Sequence, residues 1–202
     1  MKLREYQEKA LKRLNPFIAN KDKESMRFAC MGLLEESGEV IAELRKPLYK
    51  GNFHEKPLDK KAITSELGDV MWYIALICRN NSIDIEKINS KIDINQNPFD
   101  REKLIKKSIN MGRQSGVIAK RYIKYSKDKI EKRKLEKSLK RQYKNILKIS
   151  NILGISVEDI LRCNIEKANY RYDENGKAKK IGEDGYYFWK TNHLKTTQEM
   201  IG

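Results

Sequence analysis

Two pairs of acids are the residues in this 202-residue chain best suited to do chemistry: Glu36 with Glu39, and Glu66 with Asp69. Each pair is three residues apart, and 26 residues separate the two. Residues three apart share one face of an α-helix, so two packed helices carrying these pairs would turn four carboxylates toward one point. Such an all-oxygen donor set suits a hard cation such as Mg²⁺ and, through it, a phosphate substrate. The competing reading is a solvated acidic face. Two features favour the site. Gly38 and Gly68 each precede the last acid of a pair, and a glycine inside a helix costs about 1 kcal/mol, so their matching positions predict close helix approach there. Apolar neighbours (Leu33, Leu34, Val40, Ile41, Leu44; Val70, Met71, Trp72, Ile74) draw part of each acidic face inward, where a carboxylate must be paired or bind metal. Glu35, four residues before Glu39, reads either as a base or outer carboxylate for the same site or as an exposed neighbour.

The elements that must hold these acids are helices. Apolar positions such as Ala62, Leu67, Val70, Ile74 and Ile77 recur every three to five residues, and four prolines and eleven glycines punctuate little of the chain. The spacing predicts an all-α fold with helices near 3–14, 22–46, 59–80, 84–91, 100–126, 129–153 and 156–172. The segment from Lys46 to Asp59, with Pro47, Gly51-Asn52 and Pro57, is expected to loop between the acidic helices. Phe53 and His54 lie in that loop, where His54 reads as a surface residue, and His193 has no partner pattern of a metal ligand.

The acids and their surroundings, Gly32-Leu33-Leu34-Glu35-Glu36-Ser37-Gly38-Glu39-Val40 and Glu66-Leu67-Gly68-Asp69-Val70-Met71-Trp72-Tyr73, resemble the two central helices of the MazG-like all-α nucleoside triphosphate pyrophosphohydrolases. The resemblance covers roughly residues 25 to 80. It implies a helical bundle in which Glu36, Glu39, Glu66 and Asp69 hold Mg²⁺, with Mn²⁺ as a substitute. It also implies hydrolysis of a (deoxy)nucleoside triphosphate to the monophosphate and pyrophosphate, and assembly as a homo-oligomer, a dimer being expected. Further along, Gly154-Ile155-Ser156-Val157-Glu158-Asp159-Ile160 followed by Asn164, Lys167 and Arg171 looks like the family's closing helix, whose Asn, Lys and Arg contribute to nucleotide binding. Lys46, beside Arg45, is a weaker candidate for phosphate.

The second half resembles the first. Residues 66–88 align without gaps on 138–160, with identities at Leu67/Leu139, Ile74/Ile146, Ile77/Ile149, Ile83/Ile155, Glu86/Glu158 and Ile88/Ile160, and Ser37-Gly38 resembles Ser115-Gly116. Glu66 and Asp69 correspond to Ser138 and Arg141, so the second copy has lost its acids. The expected organisation is copy one at 1–96 with the metal-binding acids, a diverged copy two at 97–175 with the Asn/Lys/Arg helix, and an aromatic arm at 176–202. The two copies would form a single-chain pseudodimer sharing one composite site, comparable in plan to the related dimeric dUTPases.

Charge is uneven. Residues 1–96 carry 17 Lys/Arg against 15 Asp/Glu and residues 97–202 carry 26 against 13, so nearly all of the net +15 lies in the second half. The run from Lys120 to Lys148 could attract a nucleotide or a nucleic-acid backbone. Its lysines read as spread around the helix, a solvated face, which makes nucleic acid the lesser alternative as a partner. Cys30, Cys78 and Cys163 read as free thiols of a reducing cytoplasm, and no apolar run approaches a membrane span. The N-terminus is charged and amphipathic rather than a targeting peptide. Trp72 and Tyr73 read as core residues first and as base-stacking residues second. Asp173 to Lys177 signals a turn, and the aromatics from Tyr186 to Trp189 call for a partner surface. The rival to an enzyme is an inactive basic helical protein that binds nucleic acid or a regulatory partner.

Overall fold

A computed structural model describes residues 1–12, 14–20, 23–49, 57–90, 99–123, 129–173, 175–177 and 179. Expectations for Phe53, His54, Lys124, Lys127, His193 and the aromatics from Tyr186 to Trp189 fall outside these residues. The described chain is all-α: α1 (Leu3–Ala10), α2 (Pro16–Ala19), α3 (Lys23–Leu48), α4 (Lys60–Asn80), a 3-10 turn (Ile85–Ile88), α5 (Arg101–Ile123), α6 (Lys129–Leu153) and α7 (Val157–Arg171).

The helices lie in three layers. α3 and α4 pair in the middle, α5 and α6 cover one side with α5 against α3, and α7 packs on α4 together with α1 on the other. One continuous core joins them, running from Tyr6 of α1 through Leu33, Val40, Leu67, Met71 and Ile74 to Leu104, Met111, Leu139, Ile146 and Ile160. Local signals explain the boundaries. Asp59 caps α4 by accepting from the backbone N–H of Lys61 and Ala62, both at 3.0 Å, and Ser156 caps α7 through the Asp159 N–H at 3.0 Å.

Three boundaries differ from the sequence expectation. The first helix stops at Ala10 rather than at residue 14, because Pro16 starts α2 and disfavours helical backbone at Asn15 before it. The expected 84–91 helix is a 3-10 turn of four residues. α3 runs through Pro47 to Leu48, since a proline in the last turn gives up a single N–H bond.

The glycine expectation is half right. A Cβ on Gly68 would lie 2.9 Å from Asn164 Cβ and 3.1 Å from the Ile160 carbonyl oxygen, so this glycine lets α7 close on α4. Gly38 has nothing within 4 Å of such a Cβ, because it faces outward; the tight position on α3 is Gly32, whose added Cβ would meet the Tyr73 ring at 2.1 Å.

The basic run also differs. Lys137, Lys140, Arg141, Lys144 and Lys148 follow one another at intervals of three, one, three and four residues, all on the outer face of α6, opposite buried Leu139, Ile146 and Ile149. They form one stripe instead of spreading around the helix. The Asp173 turn is present: its carboxylate accepts from the N–H of Asn175 at 2.8 Å and of Lys177 at 2.9 Å. Among the described residues no helix is long and apolar enough to cross a membrane.

Candidate active site

The middle layer turns three carboxylates toward one another. Glu36 and Glu39 of α3 and Glu66 of α4 bring one oxygen each to within 4.8 Å of the others. Glu36 and Glu66 are partly buried and Glu39 is exposed, so the group opens on one side to solvent. Crowded acids repel, and the electrostatics record it. Burial first, then the neighbouring charges of Asp69, Glu39 and Glu66, push Glu36 up to about 8. Burial likewise raises Glu66 to about 7, with Asp69 and Glu39 adding to the rise and Lys167 opposing it. A divalent cation would offset both the burial and the mutual repulsion of these carboxylates, so the chemistry of this donor set fits one.

Asp69 stands at the edge of this group and faces α7. Its Oδ1 accepts from Asn164 Nδ2 at 2.9 Å, and its Oδ2 forms an ion pair with Lys167 Nζ. Lys167 is buried, which works against its charge, but Asp69 and Glu66 outweigh burial and hold its pKa above the usual lysine value. Its ammonium also donates to Ser65 Oγ at 3.1 Å. Asn164 is fixed from behind, since Tyr6 Oη donates to its Oδ1 at 2.7 Å. α1, α4 and α7 therefore meet in one buried polar chain, Tyr6 to Asn164 to Asp69 to Lys167.

A cleft of about 200 Å³ opens beside these groups. Glu36, Asp69, Asn164, Lys167 and Arg171 form its polar wall, and Phe28, Trp72, Tyr73 and Tyr172 with Leu14 and Ile18 form its apolar wall. Tyr73 sits at the centre of that wall, 5.8 Å from the Phe28 ring and edge-on to Trp72 at 4.9 Å. Trp72 is anchored in turn, donating its indole N–H to the Ala10 carbonyl at 3.1 Å. Leu14, Asn15 and Ile18 all line the cleft, so the early end of the helix expected at 3–14 helps to build the pocket.

The residues singled out in the sequence divide accordingly. Glu36, Glu39 and Glu66 converge; Asp69, Asn164 and Lys167 bond to one another; Arg171 lines the cleft. Glu35 is exposed on α3, where its charge acts on Tyr73. Lys46 lies two turns beyond Glu39, pairs with Glu43 and does not line the cleft. Tyr6, Ser65, Phe28 and the Leu14–Ile18 segment went unread. Nothing in a sequence shows which polar group the Tyr6 hydroxyl will meet on a helix 158 positions away.

Fold and site together define an all-α protein with an acidic, cation-fitting centre beside a mixed polar and aromatic cleft. Residues 24–93, about a third of the chain, match the family model of the MazG nucleotide pyrophosphohydrolase domain. The match takes in α3, α4 and the 3-10 turn and ends before α7, so Asn164, Lys167 and Arg171 lie outside it. Over 62 residues the chain is 32% identical to the Gene 37 protein of Mycobacterium phage L5. The aligned part is 31% of this chain and 53% of that protein, so this chain spans about half the length of the relative. No solved structure matches the chain.

Proposed function

We propose that this protein hydrolyses (deoxy)nucleoside triphosphates to the monophosphate and pyrophosphate with the help of a divalent cation, Mg²⁺ being the expected one. The observation that carries the reading is the convergence of Glu36, Glu39 and Glu66 beside a cleft that Lys167 and Arg171 also line. When bound, the cation supplies neutralisation of the phosphate charge and a water acidic enough to attack phosphorus at neutral pH. The three glutamates would hold it, while Asp69, a fourth carboxylate beside them, is engaged by Asn164 and Lys167. Lys167 presents a point charge and Arg171 a planar fork to phosphate oxygens. The Asn164 amide keeps Asp69, and through it the Lys167 ammonium, aimed at the polar wall. Phe28, Tyr73 and Tyr172 offer flat surfaces to a base, while Leu14 and Ile18 exclude water from it.

Two further features support the reading of the chain as a diverged internal duplication with one composite site. Ser82 and Gly154, paired by the 66–88 to 138–160 alignment, both adopt positive φ, at 49° and 65°. Each is followed by the same backbone bond: Ile83 N–H to the Cys78 carbonyl at 2.9 Å, and Ile155 N–H to the Ser150 carbonyl at 2.8 Å. The capping residues Asp84 and Ser156 come next in both copies. The aligned serines Ser37 and Ser115 also touch, Oγ to Oγ at 2.7 Å, as equivalent residues do on a two-fold axis. Where copy one has Glu66, copy two has Ser138, and its hydroxyl accepts from Arg121 Nε at 2.9 Å.

The test is incubation with a panel of ribo- and deoxyribonucleoside triphosphates and Mg²⁺, with nucleotide and pyrophosphate products resolved, beside the Glu39→Gln and Lys167→Ala variants. Monophosphate and pyrophosphate from the parent, lost in both variants, is the expected outcome. A folded protein that turns over none of the panel overturns the reading and leaves the inactive binding protein.

A further inference from the structure

The charge that the cleft does not use is concentrated on the opposite side of the molecule. α5 carries seven Lys/Arg against one acid, and α6 nine against two. The acids there are mostly engaged locally: Glu102 pairs with Arg101, and Glu131 with Lys134 and Arg121. From Lys137 to Lys148, α6 contains no acid at all. The stripe Lys137, Lys140, Arg141, Lys144 and Lys148 is flanked on α5 by Lys106 and Lys107.

The packing of that flank is unusual. Lys107 and Lys148 are within hydrogen-bonding reach of one another, with Lys106 and Lys144 close by, and burial together with these like charges lowers the Lys107 pKa. None of the four has a carboxylate partner among the described residues. Ammonium groups crowded this way repel, and a bound row of negative charge is what stabilises them.

We infer that the outer face of the α5–α6 hairpin binds nucleic acid through its phosphate backbone, without reading sequence. The dimensions match. The stripe from Lys137 to Lys148 is about 16 Å long at 1.5 Å per residue, and a duplex places one phosphate per strand about every 3.4 Å of axis, so it runs past about five phosphates. The long, mobile lysines and the lack of Asn or Gln pairs suited to base edges favour backbone contact over base readout. A membrane surface fits less well. The apolar sides of both helices, including Leu104, Met111, Ile118, Leu135, Leu139 and Ile146, are consumed in the core, and the exposed Ile109 and Ile130 are single positions, one on each helix, rather than a continuous side to insert into lipid. This inference is independent of the pyrophosphohydrolase reading, because no residue of the stripe lines the cleft.

The experiment is fluorescence anisotropy of the full chain with labelled DNA and RNA of two unrelated sequences, single- and double-stranded, at stepped salt, beside anionic lipid vesicles. The triple variant Lys140→Glu/Arg141→Glu/Lys144→Glu is compared with a charge-matched control, Lys2→Glu/Lys60→Glu/Lys87→Glu, whose positions are exposed elsewhere. Expected for a duplex are equal affinity for both sequences and a slope of log K against log salt of about −4 to −5. The hairpin variant should lose tenfold or more in affinity while keeping wild-type pyrophosphate release, and the control should bind as the parent does. No binding at low salt, equal losses in the two variants, or binding to vesicles alone overturns the inference.

Discussion

Asn164 Nδ2 and Lys167 Nζ bind the two oxygens of one carboxylate, that of Asp69, so an acid of α4 is held by two residues of α7 nearly a hundred positions away. This ion pair occupies a carboxylate that the metal group could otherwise use. Replacing Lys167 by Met therefore has two opposite effects. It leaves the partly buried Asp69 without its cation, which destabilises the metal-free protein by about 3 to 5 kcal/mol. It also frees Asp69 to join Glu36, Glu39 and Glu66. Lys167→Met should thus unfold at lower temperature than the parent in EDTA, bind Mn²⁺ more tightly in titration calorimetry, and regain more stability than the parent on metal addition. Weaker Mn²⁺ binding in the variant would refute this account of Asp69.

The three converging glutamates predict a loss of rate from changes that keep shape. Glu39→Gln and Glu66→Gln each remove one charge from the group at nearly constant volume, and pyrophosphate release should fall by about a hundredfold or more. Glu35→Gln, on an exposed part of α3, should fall by about tenfold at most. A fall as deep as that of Glu39→Gln would assign Glu35 a proton-transfer role.

Protonation of the same group gives a pH test with a definite sign. Glu36 and Glu66 titrate near 8 and 7 in the fold against an ordinary value of 4.5, so folding favours their protonated forms. Their contribution to stability is fully present below about 4.5 and is lost as pH rises through 7 and 8. In EDTA the melting temperature should fall across that window, and saturating Mg²⁺ should flatten or reverse the fall. Calorimetry at pH 7 in buffers of different ionisation enthalpy should show protons released on metal binding, and fewer released at pH 9. A melting temperature in EDTA that does not change between pH 6 and 9 would contradict the shifts.

Glycines and one strained serine give stability predictions in both directions. Gly68→Ala places a methyl against the Ile160 carbonyl and Asn164, and should cost about 1 to 3 kcal/mol while loosening the Asn164 contact with Asp69. Gly38→Ala meets open space and should stabilise by up to about 1 kcal/mol. Ser82→Gly relieves a left-handed backbone and should also add about 1 kcal/mol. Urea midpoints at unchanged slope would separate the three.

Legibility in the sequence followed the range of the interaction. Helix existence and the convergence of Glu36, Glu39 and Glu66 could be read because they depend on spacings of three and four within one element. The turn at Asp173 was readable for the same reason. The role of Asp69 was not, because its partners sit on another helix, and a three-residue spacing says which face an acid occupies but not what covers it. Gly38 and Gly68 looked equivalent in the sequence and differ only in what packs opposite. The stripe on α6 was missed because residues of two helices were considered as one run; it becomes a single line once α6 is taken by itself.

The buried contact between Ser37 and Ser115 includes a third residue. Gln142 Nε2 donates to Ser115 Oγ at 2.8 Å and to Ser37 Oγ at 3.2 Å, from one side. The position aligned with Gln142 in the first copy is Val70, which offers no amide. Two identical subunits related by a strict axis could not hold this arrangement, since a second glutamine would arrive from the other side to compete for the same two hydroxyls. On the duplicated-chain reading proposed above, linking the halves removes that competition and lets one glutamine serve both serines, a placement that two equal subunits could not share.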